Sequence, residues 1–162
     1  MPGGFFSYGL LAGLAIALMV AALTDLRRRQ IDNWLNAAIA LGAPLFWLAS
    51  GQGLVDVGFH IVIAVAIFAI LASIFAIGAM GGGDVKLLTA LALWIDPIAF
   101  VKLLMLMSVL GGLLTLVMVA LHFGRKRKGR IAVPYGIAIS FAGIWVIFSE
   151  YLSTATPALL SG

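Results

Sequence analysis

The sequence predicts an all-α polytopic membrane protein with six membrane segments, the fourth of which is short and begins at a glycine-rich break. Of the 162 residues, 64% are hydrophobic and only 10% are charged, which is well outside the range of soluble globular domains. Apolar runs of about 20 residues recur along the chain, and a helix of that length spans a hydrocarbon core of about 30 Å. The run Gly81-Gly82-Gly83 interrupts this apolar pattern.

The apolar runs divide the chain into six segments within a single integral-membrane domain, residues 1–162. Their approximate ranges are 5–23, 33–49, 57–80, 85–94, 98–123 and 131–151. Segment 4 has about 10 residues, or about 15 Å as a helix, and is too short to cross a membrane alone. We therefore expect a half-length helix that its neighbours shield, because irregular backbone at this depth must be buried in protein or line a cavity. Asp32 is placed to cap the first turn of segment 2.

The basic residues predict the orientation of the chain. Loops 1, 3 and 5, with their edges, contain nine of the ten Lys and Arg residues, and only Lys102 belongs to the other side. The nine are Arg27, Arg28, Arg29, Lys86, Arg125, Lys126, Arg127, Lys128 and Arg130. The positive-inside rule places these loops in the cytoplasm and both termini outside, in the inner (cytoplasmic) membrane. No basic residue precedes the first apolar run, so we expect no cleaved signal peptide.

Two aspartates are predicted to meet at the cytoplasmic face. Asp25 lies at the end of segment 1, and Asp84 opens segment 4 at the same depth. A carboxylate at membrane depth is costly and is a functional hypothesis by default. Two carboxylates close together in a low-dielectric site cannot both ionise, so the pair shares a proton. Such a pair can activate water as a base and protonate a leaving amine as an acid, which is peptide-bond hydrolysis.

The residues around Asp84 fit work on a peptide inside a membrane. Glycine lets the backbone take φ > 0 and lets another backbone approach closely, so Gly81 and Gly83 would leave room for a substrate strand. Lys86 either tunes the pair of carboxylates or is a snorkelling lysine at a helix start. The chain has no cysteine, and its two histidines are far apart in sequence, so no ligand-spaced metal cluster is predicted. The tryptophans near span ends are expected to be interfacial anchors, namely Trp34, Trp47, Trp94 and Trp145.

Three blocks of the sequence resemble the type IV prepilin peptidases and their preflagellin-peptidase relatives. They are Asp25-Leu26-Arg27-Arg28-Arg29-Gln30-Ile31-Asp32-Asn33-Trp34-Leu35, Gly81-Gly82-Gly83-Asp84 continued by Val85-Lys86-Leu87, and Val133-Pro134-Tyr135-Gly136-Ile137-Ala138. The second block matches the family's Gly-x-Gly-Asp pattern, and the order of the three blocks is the family's order. The resemblance implies an intramembrane aspartyl protease in which Asp25 and Asp84 are catalytic. It also implies that Gly81, Gly83 and Lys86 are substrate-binding or motif residues.

The resemblance further implies the substrate and the partners. The expected substrates are prepilin-like proteins, Flp-type pilins among them, with a basic leader and an apolar helix that are separated at the cytoplasmic membrane face. No metal or organic cofactor is expected, membrane lipids are the other expected partner, and no nucleic-acid partner is expected. Asp32 stands where the family usually has proline, which adds a second acidic candidate. The chain also lacks the cytoplasmic insertion with paired cysteines of long bacterial members, and is similar to the short, peptidase-only forms.

Two other classes of function remain open at this point. A small proton-coupled transporter could relay protons through Asp25 and Asp84, because interrupted short segments also occur at transporter sites. Transporter sites usually lie near the bilayer midplane between repeats, whereas both aspartates are predicted at the cytoplasmic edge and no internal repeat is found. A non-catalytic scaffold of a pilus or secretion system is the other alternative, and it would keep its function without the two aspartates.

Overall fold

The protein is all-helical across the residues that the structure describes. A computed structural model describes residues 4–124 and 134–152, and only the backbone of residues 122–124 and 152. It contains six α-helices and a closing π-helix, and no strand among these residues, which confirms the predicted fold class. They are α1 Phe5–Arg28, α2 Asn33–Ala49, α3 Leu54–Ala76, α4 Gly82–Ala92, α5 Pro97–Gly124, α6 Tyr135–Ile147 and the π-helix Phe148–Leu152. The basic run 125–130, the predicted start of segment 6 at Ile131 and the C-terminal tail lie outside the described residues.

Three helices are long and apolar enough to cross a membrane. These spans are Phe5–Arg28, Leu54–Ala76 and Pro97–Leu121, and two shorter apolar helices cover Asn33–Ala49 and Tyr135–Tyr151. Many large apolar side chains point outward from the bundle, and Leu41, for example, is 73% exposed. An outer surface of this kind suits contact with lipid, where an apolar side chain has no need of burial in protein. The chain is therefore a membrane protein.

The short helix α4 lies at the centre of the bundle. It packs against α2, α3 and α6, and Leu87, Leu88 and Leu91 are completely buried. It has 11 residues, which is about 17 Å of helix and too short for a core of about 30 Å. The prediction of a short fourth helix that its neighbours shield is thus confirmed, although the helix begins at Gly82 rather than Val85. Helix α1 likewise continues to Arg28, so Asp25 lies within its last turn rather than after it.

Two tryptophan side chains hydrogen-bond α2 to the C-terminal end of α4. A Cβ atom at Gly42 would lie 2.7 Å from Cζ2 of Trp94, so the missing side chain of this glycine makes room for the indole ring. Trp94 Nε1 donates to the carbonyl oxygen of Ile39 at 2.8 Å, and Trp47 Nε1 donates to that of Leu93 at 2.9 Å. Both rings are buried. The prediction that these two residues are interfacial anchors is wrong, because their N–H groups find carbonyl partners between the helices.

Contacts among the described residues bring several helix ends together at each end of the bundle. At one end, Tyr151 and His60 both contact Asp96, which joins the loop after α4 to the π-helix and to the start of α3. At the other end lie the C-terminus of α1 and the N-termini of α4 and α6. Helices α1, α3 and α5 have 24, 23 and 28 residues, whereas α4 and α6 have 11 and 13. The two short helices begin at the same end of the bundle, close to the C-terminus of α1.

Candidate active site

Asp25 lies in the last turn of α1, and the end of this helix holds it in place. Arg29 adopts a left-handed conformation, with φ of 53°, and its N–H donates to the carbonyl oxygen of Asp25 at 2.8 Å. This cap ends the helix one turn after Asp25 and directs the chain into the loop before α2. The Asp25 side chain points into the bundle and is only 5% exposed. A buried carboxylate of this kind is found where the surrounding structure compensates its charge.

The N-terminus of α6 provides that compensation. A Cβ atom at Gly136 would lie 2.7 Å from Oδ2 of Asp25, 2.9 Å from its Cγ and 2.9 Å from Cδ1 of Ile31. The backbone N–H groups of Gly136 and Ile137 interact with the Asp25 carboxyl group, while its Oδ2 atom has no hydrogen-bond partner among the described residues. The first N–H groups of a helix lack partners within it and favour a negative charge. Pro134, at the N-cap, has no side-chain acceptor, and Asp25 takes that place.

Asp84 lies at the N-terminus of a second short helix. It is the third residue of α4, and its carboxyl group interacts with the backbone N–H of Gly81, the N-cap residue. A carboxylate at the third helical position commonly returns to the N-cap in this way and is stabilised by the helix dipole. A Cβ atom at Gly81 would lie 2.8 Å from Oδ2 of Asp84. Gly81 therefore leaves the space in which this carboxylate lies.

One cavity brings the two carboxylates together. It has a volume of about 700 Å³, and Asp25, Asp84, Asp32 and Tyr135 are among the residues that line it. The charges of Asp25 and Asp84 act on each other electrostatically. Tyr135 is held in the wall by Thr115, whose Oγ1 lies 3.3 Å from the phenolic oxygen. A water-accessible cavity with two interacting carboxylates at its base can hold a proton on one and a proton acceptor on the other.

The backbone of the glycine run at the start of α4 differs from the expectation in one respect and agrees with it in another. Gly81 has an ordinary φ of −74°, and Gly82 and Gly83 are already helical, so the expectation of φ > 0 within this run is wrong. The left-handed residue of this turn is Gly78, with φ of 76°. Close approach does occur, because a Cβ atom at Gly83 would be 3.4 Å from Cβ and 3.5 Å from the backbone nitrogen of Ile31. The backbone segment that approaches Gly83 is therefore the protein's own loop between α1 and α2.

Two further polar predictions have different outcomes. Asp32 occupies the N-cap position of α2, but among the described residues its side chain makes no capping hydrogen bond, so that expectation is wrong. The side chain lines the cavity instead. Lys86 Nζ donates to Oδ1 of Asn33 at 2.8 Å and lines a neighbouring groove rather than this cavity. Within the described ranges, no group of three or more His, Cys, Asp or Glu side chains is arranged to hold a metal ion.

The site also contains residues to which the sequence alone gave no role. The block Pro134-Tyr135-Gly136 was recognised only by its resemblance to the family, whereas the structure places it against Asp25. Ile31 was part of the first block and lies between Gly83 and Gly136. A glycine at the start of a helix after proline was the available signal, because glycine allows close approach at such a position. The glycine alone does not indicate which side chain lies against it in the folded protein.

This chain is similar in sequence to known leader peptidases. A model of the type IV leader peptidase family matches residues 12–120, which is more than half of the chain and includes both Asp25 and Asp84. The prepilin leader peptidase/N-methyltransferase of Aeromonas salmonicida (strain A449) is 29% identical over 163 residues, which cover 91% of this chain and 54% of that protein. The protein of the same name from Aeromonas hydrophila is 29% identical over 148 residues, which cover 86% of this chain and 49% of that protein.

The chain thus spans about half the length of the curated relatives that it matches. No solved structure gives a significant match to it. The family model and the two relatives confirm the resemblance that the three sequence blocks indicated. The chain belongs to the type IV leader peptidase family.

Proposed function

We propose that this protein is a membrane aspartyl endopeptidase that removes the basic leader from prepilin-like proteins, with Asp25 and Asp84 as its catalytic pair. The observation that carries the proposal is the shared cavity, in which two electrostatically coupled carboxylates lie at the N-termini of two short helices. Membership of the leader peptidase family supports the same chemistry. Leader removal is hydrolysis of one peptide bond, which requires a base for water and an acid for the leaving amine.

The reaction proceeds through one water molecule and one shared proton. The ionised aspartate takes a proton from water as the water oxygen attacks the scissile carbonyl carbon, and the protonated aspartate donates to the carbonyl oxygen. When the C–N bond breaks, the nitrogen receives a proton from the pair, so the products are the leader carboxylate and a new N-terminal amine. The backbone N–H groups of Gly136 and Gly81 keep their respective carboxyl groups in position during this exchange.

The substrate enters with its leader extended along the cavity and its apolar helix beside the bundle. An extended segment exposes the scissile bond, which a helix would hide. Three aspartates and one arginine, Arg29, line the cavity, so acidic side chains outnumber basic ones there, and this favours a leader that carries basic residues. Gly81 and Gly83 line the cavity and leave room for the backbone of this segment. Lys86 holds the start of α2 through Asn33.

The proposed location is the inner (cytoplasmic) membrane, with the cavity facing the cytoplasm. Nine of the ten Lys and Arg residues belong to loops 1, 3 and 5 of the sequence or to their edges, and the positive-inside rule assigns such loops to the cytoplasm. The cavity that Asp25 and Asp84 line lets water and protons reach both carboxylates. In this arrangement residues 1–162 act as a single peptidase domain with both termini outside.

Digestion of a prepilin-like substrate tests the proposal. The purified protein is incubated with a substrate that has a Lys-rich leader, a glycine and an apolar helix, and the products are identified by mass. Wild type should give one cut at the leader–helix junction, and Asp25→Asn and Asp84→Asn should each slow it by more than about 100-fold, which is the lower end for loss of an acid or base. A wild-type protein that leaves the substrate intact, or an aspartate variant of full activity, contradicts the proposal.

A further inference from the structure

Arg29 has an unusual backbone conformation for its residue type. Its φ is 53° and its ψ is 35°, and among the described residues it is the one non-glycine residue with a positive φ. The residue that ends a helix in this left-handed conformation is most often glycine, because glycine has no Cβ atom to make the conformation costly. An arginine at a position that favours glycine points to a role of its side chain.

The Arg29 side chain places a positive charge in the cavity of the two aspartates. In the part of the chain that the structure describes, it is the one Lys or Arg side chain that lines this cavity, and it forms no ion pair with a carboxylate. Its charge nevertheless acts electrostatically on the Asp25 carboxyl group. The C-terminus of α1 does not depend on this charge, because Arg27 and Arg28 already lie in the last turn.

The two carboxyl groups of the cavity have unequal surroundings. Asp25 interacts with two backbone N–H groups at the start of α6 and with the charge of Arg29. Asp84 interacts with one backbone N–H group, that of Gly81. Both side chains are at least partly buried, and N–H groups and a nearby cation stabilise the ionised form of such a carboxyl group. When the pair holds one proton, these interactions favour the negative charge on Asp25 and the proton on Asp84.

We propose that Arg29 is a positioning residue of the reaction, whose positive charge keeps the negative charge of the pair on Asp25 and so makes Asp25 the base and Asp84 the acid. The inference rests on the proposed leader peptidase function. Asp25 takes a proton from water as the water oxygen attacks the scissile carbonyl carbon, and Asp84 donates its proton to the carbonyl oxygen. When the C–N bond breaks, Asp25 passes its proton to the leaving nitrogen and Asp84 regains one from a hydroxyl group of the intermediate. The pair thus returns to its starting state.

The pH dependence of cleavage tests this role. The substrate is a synthetic peptide with blocked ends, a Lys-rich leader, a glycine and an apolar helix. In the kcat/KM profile the acid limb reports the base and the alkaline limb reports the acid. Arg29→Gln removes the positive charge that favours ionised Asp25, so the acid limb should move upward by about half a pH unit or more, as expected for one charge beyond direct contact. At a fixed pH on that limb, kcat/KM should fall about 3-fold or more, while the alkaline limb moves less.

Three further variants separate the charge of Arg29 from its structural effects. Arg28→Gln removes one positive charge from the same segment, but Arg28 does not line the cavity, so the wild-type profile should remain. Arg29→Lys keeps the charge and should restore most of the acid limb. Arg29→Gly suits the left-handed backbone and should show the same upward shift as Arg29→Gln.

Three outcomes overturn the inference. The first is an unchanged profile in Arg29→Gln or Arg29→Gly, and the second is an equal shift in Arg28→Gln. The third is a kcat/KM that increases at every pH without Arg29, because that result would mean that Arg29 only repels the basic leader.

Chemical modification locates the proton without relying on cleavage. A hydrophobic carbodiimide reacts with protonated carboxyl groups, and mass analysis of the digested protein identifies the modified aspartate. Over a series of pH values, modification of Asp84 should persist to higher pH than that of Asp25. In Arg29→Gln, modification of Asp25 should extend upward by about half a pH unit or more. Equal pH dependence at the two aspartates in wild type, or no change in Arg29→Gln, overturns the inference.

The two experiments also distinguish failure of this role from failure of the proposed function. A protein that cleaves the peptide with the same pH profile in wild type and Arg29→Gln retains the peptidase proposal and loses the role of Arg29. A protein that never cleaves loses the peptidase proposal, and the carbodiimide result then decides alone whether Arg29 keeps the charge on Asp25.

Discussion

Gly136 lies directly against the Asp25 carboxyl group, with space for no side chain between them. A Cβ atom at Gly136 would be 2.7 Å from Oδ2 of Asp25 and 2.9 Å from its Cγ. These distances are below ordinary van der Waals contact, so any larger residue at this position must displace the carboxyl group or the start of α6. The third block of the sequence therefore has a physical connection to the first.

Gly136→Ala is expected to lower the rate of leader cleavage by about 10-fold or more. The added methyl group displaces the Asp25 carboxyl group from the N–H groups at the start of α6, and a misplacement of about 1 Å is enough for a large loss of rate. Cleavage is measured at matched membrane levels of protein.

Gly143→Ala is the control for that variant. Residue 143 lies in the same helix as Gly136, and a Cβ atom there would lie 3.0 Å from Cδ1 of Leu18. The substitution therefore disturbs the packing of α1 against α6 at a position away from the carboxylates. It should retain most of the activity. Equal losses in Gly136→Ala and Gly143→Ala would mean that helix packing in general, rather than the position of Asp25, decides the rate.

Asp32→Asn should retain at least about half of the wild-type cleavage rate, in contrast to Asp25→Asn. Both side chains line the cavity, but the aspartate that acts electrostatically on Asp84 is Asp25. Asp25 is also the buried one, at the N-terminus of α6. The measurement is the initial rate with the same substrate, together with the Tm of each variant. Loss of activity in Asp32→Asn with a normal rate in Asp25→Asn would transfer the catalytic role to Asp32.

Gly81→Ala should impair cleavage more than Gly83→Ala. At Gly81 the new Cβ atom would lie 2.8 Å from Oδ2 of Asp84, so this carboxylate must rotate, and we expect a loss of about 10-fold. At Gly83 the nearest atom is Cβ of Ile31 at 3.4 Å, an ordinary contact. The comparison uses cleavage rates of the two alanine variants. A greater loss at Gly83 would show that the contact with Ile31, and not the place of the Asp84 carboxylate, is the critical one.

Reporter fusions test the orientation of the bundle. A reporter fused after Arg130 should be cytoplasmic and one fused after Gly162 external, because the three basic loops belong to one side and the number of segments is even. Accessibility of each fusion to a membrane-impermeant reagent in intact cells provides the measurement. A cytoplasmic reporter after Gly162 would contradict the six-segment topology in the membrane.

The sequence by itself determined the helical segments, the short fourth helix and the shared end of Asp25 and Asp84. Each of these follows from local properties: the length of an apolar run against the thickness of a membrane, a glycine run, and the alternation of loops between two sides. It gave the wrong reason for the glycines, because the left-handed residue of the turn is Gly78 and not one of the run 81–83. The prediction that the Asp32 side chain caps α2 was wrong as well, because this side chain makes no capping hydrogen bond among the described residues and lines the cavity instead.

Only the tertiary structure decided which side chains meet. In a soluble helix the apolar face reveals the buried side, but in a membrane the lipid-facing and protein-facing sides are both apolar, so the rotation of each helix cannot be read from the pattern. The contact of Gly136 with Asp25 and the hydrogen bond of Lys86 to Asn33 both depend on that rotation. Packing of α4 against α2, α3 and α6 fixes the rotation of α4. The same packing forms the cavity in which the two carboxylates lie.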